Sequence, residues 1–285
     1  MKIEKWLIYA WVTTLLWGVW GAFSEMPTKA GFPATLGYIV WAISMIPCAI
    51  VALWRIKWKL DVSGKAIFYG MMVGLLGAVG QLLLFQALRM GPAYIIFPFV
   101  SMSPVVTIAL SLWLLKERPT KRQRWGIVIA LLAIFFLSVQ QGEGDVEGGM
   151  WLVLATSVFV MWGVQAYFMK LGNKVAKAES IFVYMAISGV LLIPVAYLMT
   201  DFSLPINADP SLISSAFVIQ LLNAVGALTL VYAYRYGKAV IVSPLTGLAP
   251  LITVVLSLII YAVFPGTILL IGLVLATIAM VALAE

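Results

Sequence analysis

The chain has 285 residues, 64% of them hydrophobic and 10% charged, with a formal net charge of +7 and a mean hydropathy of +1.08. Soluble domains are about 45–50% apolar and about 25% charged, so a soluble fold is excluded, and the basic excess reads as a membrane-topology signal rather than a nucleic-acid footprint. Histidine is absent and cysteine occurs once, at Cys48, which removes Ser-His-Asp catalysis, histidine-ligated metal sites and any intrachain disulfide.

Apolar runs able to cross a bilayer, about 20 residues each, fall at 6–24, 34–54, 66–88, 92–115, 122–140, 150–170, 180–199, 212–235, 239–262 and 266–284. The expected fold is an all-α membrane protein with ten transmembrane helices, spans 1 to 10. Lys2 and Lys5 precede span 1 in the manner of a signal peptide. That span aligns with the internal one at Trp151, however, and is read as a retained first helix. Within it, Thr13, Trp17, Trp20 and Ser24 are spaced 4, 3 and 4 apart and share a stripe. Tryptophan commonly sits in interfacial belts, which suits Trp6, Trp54, Trp58 and Trp151. Trp17 lies near mid-span, so it lines a cavity or packs between helices, and Trp20 carries the same two readings. Glu25 closes span 1 as a candidate for proton coupling or a partner for Lys29.

Span 3 places Gly70, Gly74, Gly77 and Gln81 on one face. The glycines read as close helix packing. A buried amide is costly unless paired, so Gln81 is an interhelical hydrogen bond or a substrate contact. Arg89 ends this span and reads as a snorkelling boundary residue. Span 4 holds Pro98 and Pro104, which free the carbonyls of Tyr94 and Val100. Between spans 5 and 6, Gly142-Glu143-Gly144-Asp145 matches the GxGD string of intramembrane aspartyl proteases. That chemistry needs a second carboxylate in the membrane, and no span carries one at depth.

Span 6 presents Val158, Trp162, Gln165 and Met169 on one stripe, and span 8 presents Asn223, Ala227, Leu230 and Tyr234. Trp162 and Gln165 carry the same alternatives as Trp17 and Trp20, and Asn223 those of Gln81. Tyr232, nearer the end of span 8, is a weaker candidate. Span 9 repeats the paired prolines at Pro244 and Pro250, freeing Val240 and Thr246. Such breaks are tolerated where they line a cavity or find polar partners, and a kink needed only for packing is the other reading.

These recurrences reflect a duplication. At an offset of 146, Phe85–Val139 aligns without a gap to Val231–Glu285, and 17 of the 55 pairs are identical. At an offset of 145, Trp6, Trp17, Gly18 and Phe23 pair with Trp151, Trp162, Gly163 and Phe168. The expected organisation is a first five-helix repeat over 1–140, an outer linker over 141–149 and a second repeat over 150–285. With the amino end inside, 16 of the 18 Lys and Arg residues fall on inner segments, all but Lys29 and Arg89. Both termini are then cytoplasmic. An odd number of spans per repeat inverts the second copy. The charges agree, because Lys116–Arg124 is densely basic while its mate Ala262–Leu270 is uncharged.

In Trp17-Gly18 and Trp162-Gly163, in Phe85-Gln86-Ala87-Leu88 leading through Gly91 and Ala93, in Leu115-Lys116-Glu117-Arg118 and in Trp125-Gly126, the chain resembles the ten-helix EamA-type carriers of the drug/metabolite transporter superfamily. The resemblance implies two inverted five-helix repeats around a central cavity lined by spans 1, 3, 4, 6, 8 and 9, with spans 5 and 10 at the side. Span 2 shows Val40-Trp41 where the family often has an arginine, and Glu117 has no acidic mate after span 9.

The functional expectation is a non-enzymatic secondary transporter in the bilayer of a bacterial inner membrane, with no cofactor, metal or nucleic acid. It would move small neutral, zwitterionic or cationic solutes, such as amino acids, by alternating access, with export the expected direction. Trp17, Trp20, Gln81, Tyr94, Trp162, Gln165, Asn223 and Tyr232 are the candidate substrate contacts, and Pro98, Pro104, Pro244 and Pro250 the candidate gating breaks. The rival reading is an anion, nucleotide-sugar or phosphate-ester exchanger using Arg235 and Lys238. A membrane scaffold or receptor ranks lower.

Overall fold

The computed structural model describes residues 4–24, 26–90, 96, 99–138, 149–261 and 266–284. In a bilayer every backbone polar group must find its partner within the protein, so a long apolar run becomes a helix. Among the described residues the helices stand in ten columns, with a short four-residue helix at Met26–Lys29 after the first: α1 (Lys5–Phe23), α2 (Ala34–Arg55), α3 (Gly64–Met90), α4 (Phe99–Trp113), α5 (Lys121–Ser138), α6 (Met150–Val175), α7a (Ala178–Leu191) with α7b (Ile193–Leu198), α8 (Pro210–Tyr236), α9a (Ala239–Thr246) with α9b (Ala249–Tyr261), and α10 (Thr267–Ala284). Among the described residues, seven columns are long and apolar enough to span a membrane, while α4 and α10 are shorter apolar helices. The chain is a multi-pass integral membrane protein.

Three expected spans are interrupted among the described residues. The seventh breaks at Leu192, two residues before Pro194, and the ninth at Gly247–Leu248. Column α4 breaks at the matching place, Met102–Ser103, with Pro104 opening its regular helix. Pro47, by contrast, sits inside an unbroken α2.

Contacts between helix ends show the inversion directly. The start of α1 meets the end of α8, where Tyr9 stacks on Tyr232 at 4.9 Å and Lys5 lies 5.8 Å from the Tyr236 ring. The end of α2 and the start of α7a join them there. The Arg55 guanidinium lies 5.1 Å from the Tyr232 ring, and the Tyr232 hydroxyl donates to Glu179 at 2.7 Å. Lys170, near the end of α6, reaches the α8–α9a turn on the same face. So α1 begins, and α6 ends, on one side of the bundle. The opposite face carries the bond from Asn207 N–H to the Gly31 carbonyl and the Thr35–Thr200 hydroxyl pair.

The repeats interlock instead of lying side by side. Helix α1 packs on α8 as α6 packs on α3, and α2 packs on α8 as α7a packs on α3, while α5 pairs with α10. Glycines allow the close approaches. A Cβ at Gly18 would lie 2.4 Å from the Ile252 Cβ, and one at Gly163 would lie 2.4 Å from the Val106 Cβ. Val106 and Ile252 are themselves mates at the 146-residue offset. Gly70 and Gly74 receive Tyr184 and Ser188 of α7a, and Gly77 receives Gln165 of α6. Close packing is therefore the role of the α3 glycine face. It is also the contact that drives association where lipid removes the hydrophobic advantage.

Trp54 and Trp58 are 71% and 62% exposed, as an interfacial belt requires. Trp151, expected in that belt, is buried among Leu84, Ala155 and Val158 instead.

Candidate functional site

Where the two repeats meet, the helices enclose a cavity of about 270 Å³, just below the roughly 300–1,000 Å³ common for ligand pockets. Helix α1 contributes Trp17 and Trp20, α3 contributes Gly77 and Gln81, and α6 contributes Trp162, Gln165, Ala166 and Met169. From α8 come Asn223, Ala227, Leu230 and Tyr234, the whole stripe anticipated from spacing. The broken columns add Ser101, Ser103, Pro104 and Thr107 from α4, and Ser243, Thr246, Ala249 and Pro250 from α9. Two helices outside the six expected also contribute, α2 through Trp41 and α7a through Met185.

The tryptophans resolve an apparent choice between cavity lining and packing, because an indole has both a face and an N–H. Trp17 Nε1 donates to the Asn223 carbonyl at 3.2 Å, and its mate Trp162 donates to the Gly77 carbonyl at 3.4 Å. Gly77 and Asn223 are themselves offset mates, so one bond is made twice across the pseudo-two-fold axis. Gly226 and Gly80, another offset pair, seat the two indoles; a Cβ there would come within 2.6 Å of Trp17 Nε1 and 2.5 Å of Trp162 Nε1. Trp20 donates to Gln220 Oε1 at 3.1 Å and Trp41 to Asn223 Oδ1 at 2.9 Å. All four indole N–H groups are thus committed within the protein, which leaves ring surface to face the cavity.

The remaining polar groups divide similarly. Gln165 Nε2 donates to the Val73 carbonyl at 2.9 Å, tying α6 to α3. Gln81 makes no hydrogen bond to another described residue, so its amide is available. Asn223 accepts through Oδ1, which leaves its amide nitrogen as a donor. Thr107 donates to the Gly163 carbonyl at 3.0 Å, and its mate Thr253 to the Gly18 carbonyl at 2.8 Å. Thr107 and Thr253 are an identical pair in the duplication, a second signal of the site that the sequence carries.

The proline breaks behave unequally. The Val100 carbonyl, freed by Pro104, is recaptured by Ser103 N–H at 3.0 Å. The Thr246 carbonyl, freed by Pro250, meets no backbone donor among the described residues. One acceptor therefore stays open beside the cavity.

No Asp, Glu, Lys or Arg lines the cavity among the described residues, and Tyr234 is its one ionisable side chain. Tyr232 lies outside the lining, in the Tyr9–Arg55–Glu179 cluster at the basic face. Pro244 is buried in α9a, adjoining the lining. Glu25, Tyr94 and Pro98 lie outside the described residues. Arg235 and Lys238 donate to the Ala176 carbonyl and the Arg118 carbonyl at the basic face, away from the cavity.

Comparison with known proteins bears on this geometry. Residues 4–139 and 149–284 each match the EamA-like transporter family. The uncharacterized protein MJ1333.1 of Methanocaldococcus jannaschii is 31% identical over 133 residues, covering 47% of this chain and 96% of that protein. Protein LicB of Haemophilus influenzae is 25% identical over 146 residues, 48% of each chain. A crystal structure of another protein superposes with a TM-score of 0.81 at 17% identity, over 99% of this chain and 96% of that one, a likeness of fold.

Proposed function

The chain belongs to the EamA-like transporter family, and from that premise we propose that it carries a small neutral, zwitterionic or cationic organic solute through the central cavity by alternating access. The observation that carries this reading is the wall of four indole faces, Trp17, Trp20, Trp41 and Trp162, with no charged side chain among the described lining residues. Aromatic faces attract an ammonium head by about 0.5–2 kcal/mol each once water is excluded. The Gln81 amide, the Asn223 amide nitrogen and the Thr246 carbonyl supply neutral donors and acceptors for the rest of the solute. A phosphate ester would meet no Lys or Arg in this wall, and the two cations of the rival reading are engaged elsewhere.

We assign the basic face to the cytoplasm, a reading supported by the 16 of 18 basic residues on the inner segments of the charge count. The first and last described helix ends lie there too, since Gly126 at the start of α5 packs on Leu283 at the end of α10. Export is the proposed direction, and Glu25 the proposed coupling carboxylate.

The test is uptake by sealed liposomes containing the purified protein, using labelled amino acids, organic amines and phosphate esters. Transport of a zwitterion or amine, lost in Trp17→Ala and Trp162→Ala, supports the reading. Transport confined to phosphate esters, or undisturbed by both substitutions, overturns it. For coupling, uptake by the parent should depend on an imposed pH gradient, and Glu25→Gln should remove that dependence.

A further inference from the structure

Between the cavity and the basic face lies α9a, and all eight of its residues, Ala239–Thr246, are buried. It runs from that face to the cavity, where its Ser243 and Thr246 join the lining. The turn joining it to α8, at Gly237, is gripped from two directions. Lys170 of α6 donates to the Tyr234 carbonyl at 3.0 Å and also to the Gly237 carbonyl. From the end of α4, Glu117 Oε2 accepts Val240 N–H at 2.9 Å, and Lys238 Nζ donates to the Arg118 carbonyl at 2.8 Å. Lys170 neutralises the carbonyl end of α8, and Glu117 the amide end of α9a, the favourable sign at each helix terminus. The reach of Glu117 depends on Lys116, which holds φ at +55°, a left-handed conformation that a side chain adopts only when its surroundings impose it.

The side-chain types that make this grip stand in one repeat alone. By the repeat alignment the mates of Lys170, Glu117 and Lys238 are Glu25, Val263 and Pro92. The valine side chain has no acceptor, the proline ring has no donor, and glutamate cannot supply the positive charge of a lysine. The duplication has therefore kept the helices symmetric and made the chemistry of their turns unequal.

We propose that Lys170 and Glu117 are the positioning residues of the cytoplasmic gate: they clamp the α8–α9a turn so that α9a seals the cavity, and opening toward the basic face requires both contacts to break. The inference rests on the alternating-access reading, but its test needs no transported solute. In a Cys48→Ala background, Ser103→Cys places one thiol in the cavity wall. Sealed vesicles of both orientations are treated with a charged, membrane-impermeant thiol reagent, and labelling is followed from each face.

With the clamp intact, labelling from the basic face is slow. Lys170→Met should accelerate it by about tenfold or more, the scale of losing charge-assisted hydrogen bonds. Lys170→Arg, which keeps the donors, should label at the parent rate. If Lys170→Met does not fold, as judged by gel filtration, Glu117→Ala carries the same expectation. Fast labelling of the parent from the basic face overturns the proposal. So does an unchanged rate in both clamp variants, or an equal rise in Lys170→Met and Lys170→Arg. Failure of the liposome uptake assay leaves these outcomes readable, so the two proposals fail separately.

Discussion

Single residues in this protein serve two helices at once, and that sets what substitution will do. Trp162 presents a ring face to the cavity while its N–H holds the Gly77 carbonyl, and Gly80 leaves the space for it. Gly80→Ala would bring a methyl group within 2.5 Å of Trp162 Nε1, an overpacking that costs about 1–3 kcal/mol and displaces the indole. Gly37→Ala, with nothing within 4 Å of its Cβ, should leave stability within about 0.5 kcal/mol of the parent. Thermal unfolding in detergent distinguishes the two, and equal melting temperatures would refute the packing account. Trp41→Phe keeps a ring but frees Asn223 Oδ1, at a cost of about 1 kcal/mol. Trp17 and Trp162 were legible because the duplication wrote them twice, at matching depth. Trp41 was not, since its offset mate is Ile187 and nothing in its run marked it as facing inward.

At the scale of elements, Pro104 and Pro250 each follow a break beside the cavity, at Met102–Ser103 and Gly247–Leu248. Pro244, expected to break its helix too, lies inside an unbroken α9a. What the sequence could not convey is which freed carbonyl stays open, since recapture of Val100 by Ser103 N–H depends on how tightly one turn winds. Pro250→Ala supplies an N–H for the Thr246 carbonyl and fuses α9a to α9b. We expect the melting temperature to rise by a few degrees, about what 1 kcal/mol yields in a chain of this size, and flux to slow as the hinge stiffens. Faster flux would contradict the hinge role. The start of α8 offers a pH-dependent check. Asp209 caps it by accepting from Ser211 N–H at 2.8 Å, and the Ser211 hydroxyl holds the carboxyl below the usual carboxylate range. A depressed native value means the cap is complete above the unfolded pKa of about 3.9 and is lost as pH falls through the native one. Asp209→Ala should therefore lower stability at neutral pH and narrow the gap to the parent in strong acid.

For the whole molecule, the sequence carried the architecture and left the site's boundary open. Charge counting and the odd number of spans implied inversion, and the end-to-end contacts of α1, α2, α6, α7a and α8 at one face display it. The family pattern put six columns around the cavity. The structure adds α2, through Trp41 bonded to Asn223 of α8, and α7a, which the glycine face of α3 brings close. The central claim is that one neutral, aromatic site between the repeats binds the transported solute. Its most direct test is a thermal-shift screen of the purified protein against amino acids, amines and phosphate esters, repeated on Trp17→Ala and Trp162→Ala. The account predicts a zwitterionic or cationic ligand that raises the melting temperature of the parent and of neither variant. A ligand that stabilises all three proteins equally would contradict it, because binding would then lie outside the indole wall.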